Sequence, residues 1–274
     1  MVSELSPRND VYTHGHHTSV LRSHSARTAQ NSAGYLLSRL RSGIRLLDVG
    51  CGPGSITLDF ARLVWPGEVI GLERSETAVE VGRAAGERAA IANAEFLVGD
   101  VYELEFDDDS FDVVHAHQVL QHLSDPPAAL REMHRVCKPG GVIAIRDADY
   151  SAMSWYPASA GLARWMELYM QVARANGGEP DGGRHLLAWA HAAGLQNIEP
   201  SATVWCYATP EQREEWGHTW AERVTKSEFA RQAVAAGFAE QAELEQLARS
   251  WREWSAEPDG WFTISHGELL IIVD

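Results

Sequence analysis

The stretch LLDVGCGPGS sets an acid, Asp48, ahead of three alternating glycines, Gly50, Gly52 and Gly54. Glycine lets a backbone turn tightly and come close to a ligand without Cβ interference. A plain strand-to-helix turn needs no such alternation behind an acid, so a bound molecule is expected against this loop. Glu73 follows Gly54 by nineteen residues, in EVIGLE, where a carboxylate can accept both hydroxyls of a ribose. Asp100, in VGDV, can receive an exocyclic amine. Each acid alone suits a solvated strand end; with the glycine loop they describe a pocket that reads a nucleoside. A dinucleotide fingerprint would require G-x-G-x-x-G, and the sixth position counted from Gly50 is Ser55, so that pattern fails.

These residues must be carried on regular elements. From residue 44 to about 150, short apolar runs alternate with amphipathic segments. IRLLDVG reads as a buried strand closed by glycine. Ile56, Phe60, Leu63 and Val64 then fall at i, i+4, i+7 and i+8, one face of a helix. EVIGLE is a second strand, and Ser75 can cap a helix running through Ala90. AEFLVGD, FDVVHAH and GVIAIRD follow as three more strands. A helix from about Pro126 presents Leu130, Met133 and Val136 and stops at KPGG; Ser124 or Asp125 caps it, with proline in the first turn. This alternation predicts a parallel sheet with helices on both faces. Its binding site lies at the carboxyl ends of the strands, where the glycine loop and both acids fall.

Beyond Tyr150 the texture changes. Leu162, Trp165, Met166, Tyr169 and Val172 have helical spacing within 157–175, a second helix spans 183–193, and ATVWCYA reads as a strand. Residues 210–256 read as wholly helical, broken at Gly237, and WFTISHGELLIIVD closes as a final strand or hairpin. Nine of the ten tryptophans lie in this part. Large aromatics of this kind fill seams between helices and sheet, or line a pocket for an apolar ligand.

Composition narrows the function. With 45% hydrophobic residues a sizeable core is available, and the net charge of −15 argues against a nucleic-acid surface. Cys51, Cys137 and Cys206 lie far apart and read as reduced thiols of a cytoplasmic protein. The polar N-terminus shows no signal peptide, and no apolar run is long enough to span a membrane.

DVGCGPG, GLE, VGDV and the run FDVVHAHQVLQHLSDPPAALREMHRVCKPGG, in this order, resemble the class I S-adenosylmethionine-dependent methyltransferases. The narrower likeness is to their ubiquinone/menaquinone-type small-molecule group. It covers about residues 44–150. The resemblance implies a Rossmann-like, doubly wound α/β fold: a seven-stranded, mostly parallel sheet with an antiparallel last strand. It divides the chain into a helical cap (1–43), a cofactor-binding core (44–150) and a substrate-side region (151–274) with a helical insertion at about 209–259. By the same resemblance the loop of Asp48, Gly50, Cys51, Gly52 and Gly54 passes under the methionine part of S-adenosylmethionine. Glu73, with Arg74 beside it, binds the ribose; Asp100 and the Val101 N–H meet the adenine. Main chain at His117, with Gln118, holds the methionine end. SDPP lacks the aromatic of the nucleobase-amine motif and lies several residues too late for it, so methylation of DNA bases is set aside.

A methyl moved in line to a nucleophile calls for a base only when the acceptor arrives protonated. The candidates are His122, Asp147 and Glu167, and with them Asp149 and His185; His122 and Asp147 come first among them. Ahead of the first strand, YTHGHHTSVLRSHSARTAQ groups His14, His16, His17 and His24. A metal would need three or four ligands in a plausible set, and the spacing supplies no such set. In the family this segment commonly closes over the cofactor, which implies a lid with Tyr12 and His17 over the methionine or methyl and Arg27 and Asn31 helping to hold it. The expected activity is methyl transfer to carbon or oxygen of a small, partly apolar molecule, a quinone precursor or secondary metabolite. No metal, nucleic acid or membrane partner is expected, and a homo-oligomer is left open. A fold-relative that binds the cofactor without transferring methyl, a cyclase or regulatory module, is the alternative.

Overall fold

The computed structural model describes Thr13 and residues 27–274. Strands β1 (Leu46–Val49), β2 (Val69–Glu73), β3 (Ala94–Val98), β4 (Phe111–His117), β5 (Cys137–Tyr156), β6 (Ile198–Tyr207) and β7 (Trp261–Ile272) form one sheet in the order β3-β2-β1-β4-β5-β7-β6. Neighbours among the first five pair in parallel, whereas β7 is antiparallel to both β5 and β6. Six strands therefore run one way and β7 runs against them. The closing segment is one inserted strand and not a hairpin.

Among the described residues the α-helices are α1 (Ala29–Ser32), α2 (Ser55–Val64), α3 (Glu76–Arg88), α4 (Pro126–Val136), α5 (Ala160–Ala175), α6 (Gly182–Ala192), α7 (Pro210–Lys226), α8 (Glu228–Ala235) and α9 (Gln241–Ala256). Their starts follow local chemistry. Ser75 Oγ accepts the Ala78 N–H at the head of α3, and Asp125, rather than Ser124, caps α4 through the Ala128 N–H at 3.1 Å. Ile56, Phe60 and Val64 are buried on α2, but Leu63 is 51% exposed. The i, i+4, i+8 stripe meets the sheet, and the i+7 position falls off its edge.

Two further differences concern the second half. β5 continues well past Tyr150, through a register shift between Asp149 and Ser154, because β7 is long enough to pair with both parts. Residues 210–256 are three helices, with breaks at Ser227 and around Gly237. Trp165, Trp220 and Trp251 are buried where α5, α7 and α9 meet, with Trp165 edge-on to the other two at 4.5 and 4.8 Å. Each such ring removes ~150–250 Å² from water, roughly 4–6 kcal/mol of transfer free energy at about 25 cal/mol per Å². This aromatic cluster fixes the roof of the site to the sheet.

Candidate active site

A cavity of about 780 Å³ opens over the carboxyl ends of the parallel strands. Its first half is built from the turn after β1, where Gly50, Gly52 and Gly54 all have positive φ, +65°, +53° and +82°. A Cβ on Gly50 would lie 2.4 Å from Val119 Cγ2, and one on Gly54 would lie 2.4 Å from Phe96 Cε1. Side chains are thus excluded from the turn by conformation and by space. Asp48 is buried; it accepts the Thr57 hydroxyl at 2.6 Å and meets His115 Nδ1 at 2.7 Å. It therefore ties the first turn of α2 to β1 and β4 beneath the glycines.

Glu73, at the end of β2, accepts the backbone N–H groups of Gly52 and Ser75, each at 3.1 Å. One carboxylate oxygen goes to each, and each oxygen retains a lone pair for a further donor. Asp100 accepts the Tyr102 N–H at 2.9 Å. Cys51, Arg74, Asp100 and the buried Val101 line the same half. At the end of β4, Gln118 adopts φ +55°. Its side-chain oxygen accepts from Arg27 Nη2 at 2.6 Å, and its Nε2 lies 3.0 Å from His266 Nε2. His117 is buried, and neither ring nitrogen has a hydrogen-bond partner among the described residues.

The cavity continues past Gln118 over β5, β6 and α7, where Tyr150, Met153, Trp205, Tyr207 and Trp216 form its walls. Two ring stacks stiffen them. Tyr150 lies on Tyr169 with centroids 4.0 Å apart and planes at 9°, and Tyr207 lies on Trp216 at 4.4 Å and 14°. Burial pushes the Tyr207 phenol up to about 12, partly offset by Arg27 and Arg223. His122 also lines this half. Desolvation, with the charge of Arg27, pushes its imidazole down to about 4. His117 and His266 are held well below the usual histidine range by burial and by nearby arginines. All three imidazoles are therefore neutral at neutral pH.

The structure brings Asp48, Gly50, Cys51, Gly52, Glu73, Arg74, Asp100, Val101, His117, Gln118 and His122 to one cavity, with Gly54 shaping its loop. Asp147 and Glu167 are not brought there. Strand alternation sends Ala148 and Tyr150 to the cavity and turns Asp147 and Asp149 to the opposite face, beneath α6. There Asp149 takes a bidentate Arg184, both contacts at 2.6 Å. Asp147 is buried under backbone groups of Val119, Leu120 and Gln121, and burial pushes its carboxyl up to about 8. Glu167 stands 68% exposed on α5, 3.8 Å from Arg164. His185 packs edge-on to Trp189, away from the cavity. Tyr12 and His17 lie outside the described residues, as do His14, His16 and His24. Among the described residues no three metal-ligating side chains cluster, and no helix is long and apolar enough to cross a membrane.

Sequence reasoning missed Tyr150, Tyr207 and Arg223. The available signal was Tyr150 itself, one residue beyond the acids of IRDADY and on the other strand face.

Comparison with known proteins bears on this geometry directly. A family model described as a methyltransferase domain matches residues 40–228. The chain is 33% identical to an uncharacterized methyltransferase of Schizosaccharomyces pombe, covering 94% of this chain and 95% of that protein. It is 42% identical over 105 residues to the demethylmenaquinone methyltransferase of Staphylococcus aureus, covering 38% of this chain and 43% of that enzyme. Among solved structures, a phosphoethanolamine N-methyltransferase of Haemonchus contortus in complex with S-adenosyl-L-methionine superposes with a TM-score of 0.56 at 20% identity. That alignment covers 88% of this chain and 52% of that one. The side-chain-free glycine cradle and the carboxylate of Glu73 beside it fit that cofactor. The chain belongs to this methyltransferase family, and its cofactor is S-adenosylmethionine.

Proposed function

We propose that the enzyme methylates carbon or oxygen of a small, partly apolar molecule, a quinone precursor or secondary metabolite. The observation that carries this reading is the continuity of one cavity between the glycine cradle and a chamber walled by Tyr150, Tyr207 and Trp216. When bound, S-adenosylmethionine supplies an electrophilic methyl group on a positively charged sulfur. Glu73 binds the ribose, Asp100 and Val101 hold the adenine, and the turn from Gly50 to Gly54, with His117 and Gln118, takes the methionine end. The aromatic walls exclude water and orient the acceptor, and positioning of this kind can supply about 7–11 kcal/mol of the barrier at best. The demethylmenaquinone methyltransferase of Staphylococcus aureus acts, by its name, on demethylmenaquinone.

Residues 1–43 act as a cap over this site. Two anchors support that assignment: Asn176 Nδ2 donates to Thr13 Oγ1 at 3.0 Å, and Arg27 donates to Gln118. The three free thiols suit a reducing, cytoplasmic setting. The test is incubation with methyl-labelled S-adenosylmethionine and a panel of quinols and phenols. Label in an organic product with matching S-adenosylhomocysteine is expected. Cofactor binding without turnover on any member would overturn the reading.

A further inference from the structure

His266 lies on β7, opposite Ala148 of β5 and Thr203 of β6, outside the residues 40–228 that the methyltransferase model matches. It is buried, with its imidazole edge-on to Trp205 at 4.5 Å between centroids and stacked on His117 at 6.2 Å. From this packing its Nε2 reaches Gln118 Nε2 at 3.0 Å. Two nitrogens at that distance share a proton only if one donates and the other accepts. The amide nitrogen of a glutamine only donates, so the imidazole accepts.

The far end of the amide removes the alternative. Gln118 Oε1 accepts from Arg27 Nη2 at 2.6 Å, and a guanidinium only donates, whatever other groups it meets. Turning the amide over would set donor against donor at Arg27. Gln118 therefore has one orientation, and His266 has one form: neutral, with its proton on Nδ1. Burial and the charges of Arg146 and Arg27 hold this ring well below the usual histidine range, against the Ile264 carbonyl, which favours a second proton. His117, stacked on it, is held down in the same way, and Arg146 is paired with Glu268 at 3.0 Å.

The backbone shows why the orientation matters. Gln118 has φ +55°, a left-handed conformation that is uncommon for a residue with a side chain. Its N–H donates to the Arg146 carbonyl at 2.7 Å, and its side chain lines the cavity. The amide nitrogen carries two hydrogens. One goes to His266, and the second is left for the cavity.

We propose that His266 is a positioning residue for cofactor binding. It accepts from Gln118 Nε2 and thereby aims the second N–H of that amide at the carboxylate of the cofactor's methionine moiety. The proposal rests on the reading that Gln118 takes the methionine end of S-adenosylmethionine. The last strand of the sheet then helps to hold the cofactor without His266 touching it.

Calorimetry on the full chain compares S-adenosylhomocysteine with methylthioadenosine, which keeps the adenosine and the sulfur but lacks the amino-acid end. His266→Phe should weaken S-adenosylhomocysteine about tenfold, the scale of one hydrogen bond to a charged group, and leave methylthioadenosine unchanged. Gln118→Ala should show the same selective loss, and adding His266→Phe to it should cost nothing more. No loss in His266→Phe, an equal loss for both ligands, or an additive loss in the double variant overturns the proposal. If His266→Phe does not fold, nitrogen NMR of the parent protein decides. The imidazole whose Nε2 signal moves in Gln118→Ala should carry its proton on Nδ1, and a protonated Nε2 overturns the proposal. Unchanged affinity in Gln118→Ala removes Gln118 from the methionine end and takes the proposal with it. A selective loss in Gln118→Ala with none in His266→Phe strikes His266 alone, so the two readings fail separately.

Discussion

Glu73 Oε2 accepts the Gly52 N–H at 3.1 Å, so the carboxylate closing β2 is fastened to the glycine turn closing β1. Its other oxygen caps the chain at Ser75, the entry to α3. The proposed ribose seat and the proposed methionine seat are thus one hydrogen-bonded unit.

From this unit, Glu73→Ala should weaken S-adenosylmethionine binding by roughly 2–3 kcal/mol, the worth of charge-assisted hydrogen bonds lost to the ribose. Calorimetry on the folded variant measures it. Unchanged affinity would remove Glu73 from the site.

Gly50→Ala tests the cradle, with Gly43→Ala as its control. Both glycines have positive φ, which costs an L-residue about 1–2 kcal/mol in either place. At Gly43 nothing stands within 4 Å of the added Cβ, whereas at Gly50 it meets Val119 at 2.4 Å. Both variants should melt earlier than the parent. Only Gly50→Ala should also lose cofactor affinity; equal affinities would show that the turn tolerates a side chain.

Asp147 gives a pH signature of stability. Its carboxyl is raised by burial from 3.8 to about 8, so between those values the folded chain holds a proton that the unfolded chain has released. The associated stability is full below about 3.8 and is lost as pH rises toward about 8. At about 1.4 kcal/mol per pKa unit the window amounts to several kcal/mol. His122 acts oppositely: lowered from 6.5 to about 4, it contributes stability that is full above 6.5 and lost as pH falls. Urea denaturation of Asp147→Asn should therefore lose the decline in stability between about pH 3.8 and about 8 and retain the opposite, acid-side decline that His122 contributes. An unaltered slope between those values would refute the buried, protonated carboxyl.

Thr13→Val removes the acceptor that Asn176 uses while leaving its second bond, to Gln232 Oε1 at 2.8 Å, in place. Hydrogen exchange over residues 12–24 should slow when cofactor binds the parent protein and slow less in the variant. Elemental analysis should find no stoichiometric zinc. Equal exchange with and without cofactor would end the cap assignment.

The cofactor half was legible because each of its groups sits within a few residues of a strand end, where local spacing fixes position. Gly50, Glu73 and Asp100 needed only the alternation of strand and helix to be brought together. The acceptor half is assembled differently, from Tyr150 on β5, Tyr207 on β6 and Arg223 on α7, which share no local pattern. The reading of IRDADY went to the acids because acids carry chemistry, yet strand parity alone decides which side chains face the ligand. Nothing within those six residues sets that parity; the register of β5 against β4 and β7 does. Leu63 shows the same limit on a smaller scale, since periodicity gives a helix face but not the edge of the surface it meets.

The position of β7 has a consequence for how the chain reaches its native state. Among the described residues β6 has no sheet partner except β7, and β7 is the later of the two in the chain. A ribosome that has released β6 but not β7 therefore displays two open hydrogen-bonding edges, those of β5 and β6, with a gap between them the width of one strand. Closing that gap joins residues more than a hundred positions apart, from Val142 with Ile272 to Tyr156 with Trp261, and such long loops make for slow closure. The nascent protein is most exposed to edge-to-edge association in that interval, and a holding chaperone would find its substrate there.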